Sequence, residues 1–89
     1  TRYFYFLEGQ TFCISEPING EAASSGNGST VGFNIENETM GDKWHAIGLE
    51  NGGTSIEDAP GIREFEGMKM YLAYLRDPSG NKLCAIKQL

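Results

Sequence analysis

An α+β fold is predicted for this 89-residue chain from three observations. Extended segments of aromatic or alternating character occupy both ends of the sequence. One stretch near the middle repeats apolar residues at helical spacing. Breaks rich in Gly, Asn, Ser and Pro separate these segments. From Ser29 onward the order reads β-α-β-β-β with one strand interrupted, and two further strands precede it.

The first strand is Tyr3-Phe4-Tyr5-Phe6-Leu7, and Glu8-Gly9 signals a turn into a second, Gln10 to Ser15. Residues 16–28 contain Pro17, Asn19-Gly20, Ser24-Ser25 and Gly26-Asn27-Gly28, the composition of a linker or long loop. Ser29 to Glu36 alternates, with Val31, Phe33 and Ile35 on one face and Thr30, Gly32 and Asn34 on the other. A helix is expected over Thr39 to Glu50, with Thr39 and Asp42 as a capping pair and Met40, Trp44, Ile47 and Gly48 on one face. Asn51-Gly52-Gly53 ends it, because glycine adopts the left-handed conformation that closes a helix.

Thr54 to Glu57 reads as a short strand, Asp58 to Gly61 as a turn and Ile62 to Phe65 as a second short strand. Met68 to Arg76 is the longest strand, with Met70, Leu72 and Tyr74 on one face. Asp77-Pro78-Ser79-Gly80-Asn81 is a hairpin turn, in which proline sets one torsion and Gly80 supplies a positive φ. Lys82 to Gln88 returns as the last strand, and counting across the turn pairs Tyr74 with Cys84.

Charge and composition narrow the function classes. Seven Lys and Arg against twelve Asp and Glu leave a net charge of −5, with no cluster of cations for a nucleic acid. No apolar run approaches the roughly 20 residues of a membrane helix. No charged-then-apolar leader opens the chain, so a cytoplasmic location is expected. Cys13 and Cys84 are too far apart for a zinc ribbon or redox pair. They read as two buried free thiols, with a disulfide between them as the alternative. His45 is the only histidine, so one chain cannot supply a histidine-rich metal site.

Several runs carry a resemblance. Gly52-Gly53-Thr54, Ala59-Pro60-Gly61-Ile62-Arg63 and Tyr71 through Lys82, ending in the Arg-Asp-Pro-x-Gly-Asn hairpin, resemble the glyoxalase / bleomycin-resistance / extradiol-dioxygenase superfamily, the vicinal oxygen chelate proteins. The stretch from Pro17 to Ser29 is similar to the connection between its modules. That resemblance implies βαβββ modules whose strands curl into a cup around a ligand. The chain then divides, within one domain 1–89, into two strands left from a first module (1–15), a linker (16–28) and a βαβββ module (29–89). With half of the cup wall missing, a homodimer is expected, either side by side or with exchanged strands.

The resemblance also marks site positions. Metal-using members contribute a His from the first strand of this module and a Glu from its last, positions held here by Thr30 and Cys84. Thr is a poor ligand for a divalent metal and Cys suits softer ions, so neither a metal nor another cofactor is expected. The cup-facing residues Thr30, Asn34, Met70, Leu72, Tyr74, Cys84 and Ile86 are the expected ligand-binding set, and no catalytic residue is assigned.

Other readings of individual residues are plainer. Cys84 also fits a small buried apolar residue, and Met68, Met70 and Tyr74 fit core or dimer interface as well as ligand contact. His45 is expected at the surface or rim. Asp77 and Asn81 are turn formers. Glu57, Asp58, Glu64 and Glu66 read as a solvated rim, with attraction of cations as the alternative.

The expected function is therefore metal-independent binding of a small apolar or cationic organic molecule, as in sequestering drug-resistance members, without enzyme activity. One alternative is a metal-dependent lyase, isomerase or dioxygenase whose site is assembled at the dimer interface with help from Glu8 or Glu16, and another is a remnant that folds and dimerises but retains no ligand. No membrane or nucleic-acid partner is expected.

Overall fold

The computed structural model describes residues 1–89 and contains seven strands and one helix. Strands β1 (Arg2–Leu7) and β2 (Gln10–Ser15) form an antiparallel hairpin that is a sheet of its own. The remaining strands are β3 (Val31–Asn34), β4 (Thr54–Ser55), β5 (Gly61–Phe65), β6 (Met68–Arg76) and β7 (Lys82–Gln88). They form a five-stranded sheet in which β3 pairs in parallel with β7, and β7 pairs antiparallel with β6. On its other side β6 pairs with β4 at its end and β5 at its start, so these two short strands are one edge, interrupted by residues 56–60. The opposite edge is β3, and the sheet is not closed. The mixed sheet with one main helix is the α+β arrangement that the sequence predicts.

Helix α1 (Glu38–Glu50) crosses one face of this sheet, and its N-cap differs from expectation. Asn37, rather than Thr39, caps it: the Asn37 side-chain oxygen accepts the Met40 N–H at 2.8 Å. Asn is as strong a cap as Thr, and the helix gains a turn residue by starting earlier. At the other end Gly52 takes a φ of 95° and the Gly53 N–H reaches the Gly48 carbonyl at 2.9 Å.

The face that packs is also rotated from the predicted one. Met40 and Ile47 are exposed, whereas Gly41, Trp44, His45 and Gly48 turn inward. The reason is steric. A Cβ on Gly41 would stand 2.6 Å from Ile35 Cδ1 and overlap the Tyr71 ring, and one on Gly48 would overlap Leu75. Two glycines seven residues apart, about 10 Å along a helix, thus make room for two β6 side chains four residues apart, about 13 Å along a strand. Hydrophobic size predicts which residues seek the core, but here the absence of side chains decides how the helix lies.

The core is small. Ile35, Tyr71, Ala73 and Ala85 form it, with Trp44 packed against it. The Tyr71 ring is 1% exposed, and its hydroxyl donates to Asp42 Oδ1 at 2.7 Å. His45 lies buried beneath the helix rather than at the rim, with Nε2 hydrogen-bonded to Ser55 Oγ at 3.1 Å. A polar ring can be buried there because β4 brings it a partner.

The β6–β7 turn forms as predicted. Asp77 Oδ1 accepts the N–H groups of Ser79 and Asn81 at 3.0 and 2.8 Å, and Gly80 has a φ of 92°. No helix is long and apolar enough to cross a membrane.

Candidate functional site

The face of the five-stranded sheet turned away from the helix is the candidate cup. Strand register assembles it. Tyr74 lies opposite Cys84, Leu72 opposite Ile86 and Met70 opposite Gln88. In the parallel pair Gly32 lies beside Cys84 and Asn34 beside Ile86. A Cβ on Gly32 would lie 3.3 Å from Cys84 Sγ and 3.8 Å from Ile86 Cγ2, which puts those side chains on the same face. From β5, Gly61 opposes Leu72, Arg63 opposes Met70 and Phe65 opposes Met68.

Five of the seven residues expected to bind a ligand therefore meet: Met70, Leu72, Tyr74, Cys84 and Ile86. Leu72 and Cys84 are buried, and the other three are half-buried. Asn34 joins them by register but is exposed. Thr30 precedes β3 and is exposed outside the strand. The parallel ladder with β7 begins at Val31 beside Leu83, so Thr30 lies just outside it.

Polar groups gather around this apolar patch. Lys82 forms an ion pair with Glu57, and its ammonium stands 4.8 Å from the centre of the Tyr74 ring. Burial pushes the Tyr74 hydroxyl above its usual range, helped by Cys84 and Glu57 and opposed by Lys82 and Arg63. Burial likewise pushes the Cys84 thiol up, with Lys82 opposing and Glu57 adding to the shift. A thiol held protonated in this way is not an activated nucleophile. Cys13, by contrast, is free and exposed, so only one of the two thiols is buried.

Arg63 was not in the expected site. Its guanidinium folds back over Gly61, with Nη1 3.6 Å from where a Gly61 Cβ would stand. Nη1 donates to the Gly61 carbonyl at 3.1 Å and Nη2 to the Asp58 carbonyl at 3.0 Å. The signal for it was the alternation Gly61, Arg63, Phe65, which puts all three on the face of Met70 once β5 pairs with β6. Glu57 is bound to Lys82, and Glu64 faces the helix side opposite Lys69.

The hairpin β1–β2 leaves its own cup free. Phe12 rests edge-on against Phe33 at 5.3 Å, and Phe33 leads to Trp44 at 6.4 Å, all on the helix side of the sheet. The rest of the hairpin stands clear: Tyr3, Phe4, Tyr5, Phe6, Leu7 and Ile14 are each at least half exposed. A separate apolar groove, lined by Trp44, Ile47, Leu75, Pro78 and Leu83, runs between the helix and the β6–β7 turn.

The chain is similar to the crystal structure of a glyoxalase/bleomycin resistance protein from Albidiferax ferrireducens T118. The two are 53% identical with a TM-score of 0.92, over 96% of this chain and 68% of that one. The chain belongs to the glyoxalase/bleomycin resistance family. No family model matches it, and neither does any curated protein.

Membership in the glyoxalase/bleomycin resistance family raises the question of a metal. The two positions that the resemblance marks are an exposed hydroxyl, Thr30, and a buried thiol, Cys84. Nowhere does the chain bring three His, Cys, Asp or Glu side chains together. An exposed hydroxyl and a thiol held protonated differ in chemistry from the His and Glu that the resemblance implies at these positions.

Proposed function

We propose that this glyoxalase/bleomycin resistance-family chain binds a small organic molecule without a metal, in a cup completed by a second copy of the chain. The observation that carries this reading is the cup face itself. Leu72, Ile86, Met70, Tyr74 and Cys84 form a continuous apolar floor on the sheet face turned away from the helix, and no further strand closes the sheet. Such a floor with a few polar groups at its border is the usual lining of a small-molecule site.

The hairpin supports the dimer. Its large apolar residues are exposed on both faces: Tyr3, Tyr5 and Ile14 on one, Phe4 and Phe6 on the other. An isolated two-stranded ribbon of that composition gains stability by burial against another surface. A symmetric pairing buries both copies of the ribbon and both open cups at once.

Native mass spectrometry of the purified protein tests the reading. The expected result is a dimer without metal, with a co-purified organic adduct identifying the ligand. A monomer at micromolar concentration would overturn the completed cup. One or two metal ions per dimer, with turnover of a hemithioacetal or catechol, would replace binding by metal-dependent catalysis.

A further inference from the structure

The geometry points to an organic anion as the ligand, an apolar body carrying one carboxylate or sulfonate, held by Arg63 over the floor of the cup. This rests on the small-molecule reading above and specifies its ligand class. Three cationic residues lie on the cup face, and they are not equivalent. Lys82 is neutralised by Glu57 and covers the Tyr74 ring. Arg76 lies opposite Lys82 at the end of the ladder, where Nη1 donates to the Gly80 carbonyl at 2.7 Å and ties the turn. Arg63 has no carboxylate within ion-pair distance, and both of its acceptors are neutral carbonyls.

That arrangement orients a charge without cancelling it. Two of the five guanidinium N–H groups are committed to Asp58 and Gly61, which fixes the plane of the group. The others remain for a trigonal oxyanion, for which guanidinium is the geometrically matched partner. Gly61 has no side chain to intervene, and its opposite neighbour across the ladder is the buried Leu72. An anion on Arg63 therefore places the rest of its molecule on Leu72 and Ile86. The remainder of the chain is acidic, with a net charge of −5, so the cup is a local exception to its overall field. A cationic ligand would find the Glu57 carboxylate already engaged by Lys82.

A matched pair of fluorescent probes tests this: anilinonaphthalene sulfonate, and phenylnaphthylamine, which has the same rings without the charge. Fluorescence titration of the whole protein should give tighter binding of the sulfonate. In Arg63→Met the sulfonate should lose about tenfold or more in affinity while the neutral probe is unchanged. Arg63→Lys should recover only part of the loss, because an ammonium lacks the planar fork. Equal affinities that Arg63→Met does not alter would overturn the anion and leave an apolar cup standing. Binding of neither probe would overturn the cup, and the anion with it. A sulfonate signal abolished by Phe6→Ser but indifferent to Arg63→Met would place the probe on the hairpin and also overturn the proposal. Circular dichroism melting of each variant separates these outcomes from loss of fold.

Discussion

Strands β1 and β6 are both rich in aromatic and aliphatic residues, yet they reach opposite ends of the burial scale. In β1, Tyr3, Phe4, Tyr5 and Phe6 are 53–74% exposed. In β6, Tyr71, Leu72, Ala73 and Leu75 are at most 8% exposed. Composition does not separate them. What separates them is a second layer: β6 has strands on both sides and a helix against one face, and β1 has a single neighbour. A hairpin alone has no inside. Aromatic content predicts that a segment seeks burial, whereas the topology around it decides whether the same chain can supply it.

The sharpest way to break this contrast is to overfill the packed region. Gly41→Val adds a branched side chain where even a Cβ overlaps Tyr71, and a loss of about 3 kcal/mol or more is expected in urea denaturation. A change below about 1 kcal/mol would mean that the helix is free to move off the sheet. Tyr71→Phe comes next. It removes the hydroxyl that donates to Asp42, and about 1–1.5 kcal/mol should be lost at neutral pH.

Tyr71 also makes the contrast depend on pH. Burial first, and then the Asp42 hydrogen bond and charge, hold its proton well above the ordinary value of 10. A tyrosine raised in the folded state favours folding fully below its unfolded value and loses that contribution as the pH climbs past it. Stability should therefore fall above about pH 10, and Tyr71→Phe should flatten that decline in melting curves recorded from pH 8 upward.

Asn37→Ala should cost about 1 kcal/mol by removing the cap at Met40 N, measured by the same denaturation. The smallest effect belongs to the hairpin. Phe6→Ser should change the stability of the isolated chain by no more than about 0.5 kcal/mol, because the ring is 74% exposed. If a second copy covers the hairpin, the same substitution should instead weaken dimerisation in sedimentation velocity. Thiol titration sharpens the comparison further: Cys13 should react with a disulfide reagent at once, and the buried, protonated Cys84 far more slowly.

Much of this architecture was legible in the residues. The strands Gln10–Ser15, Met68–Arg76 and Lys82–Gln88 follow from alternation and turn chemistry, and the pairing of Tyr74 with Cys84 follows from counting across Gly80. Trp44 and Gly48 lie on the expected helix face, but Met40 and Ile47 do not pack, because a close approach governed by Gly41 leaves no hydrophobic signature. His45 lies inside rather than at the rim for a different reason: its burial depends on Ser55, a residue that only the β4–β6 pairing brings beneath it. Cys13 was expected inside because cysteine usually is, but the hairpin gives it no cover. The cup floor was readable from strand parity, whereas Arg63 required the register of a five-residue strand, where one step changes the face.

The open flank of β3 has a practical side. Val31 to Asn34 bond to β7 along one side only, so the outer row of backbone donors and acceptors is a template on which another chain can add a strand. Four residues make a short template, and mutual repulsion between molecules of charge −5 keeps such encounters brief at neutral pH. That protection vanishes near the isoelectric point of 4.7. Solubility should therefore fall near that pH, and precipitation there should be relieved by returning to neutral buffer before any strand-to-strand stacking matures.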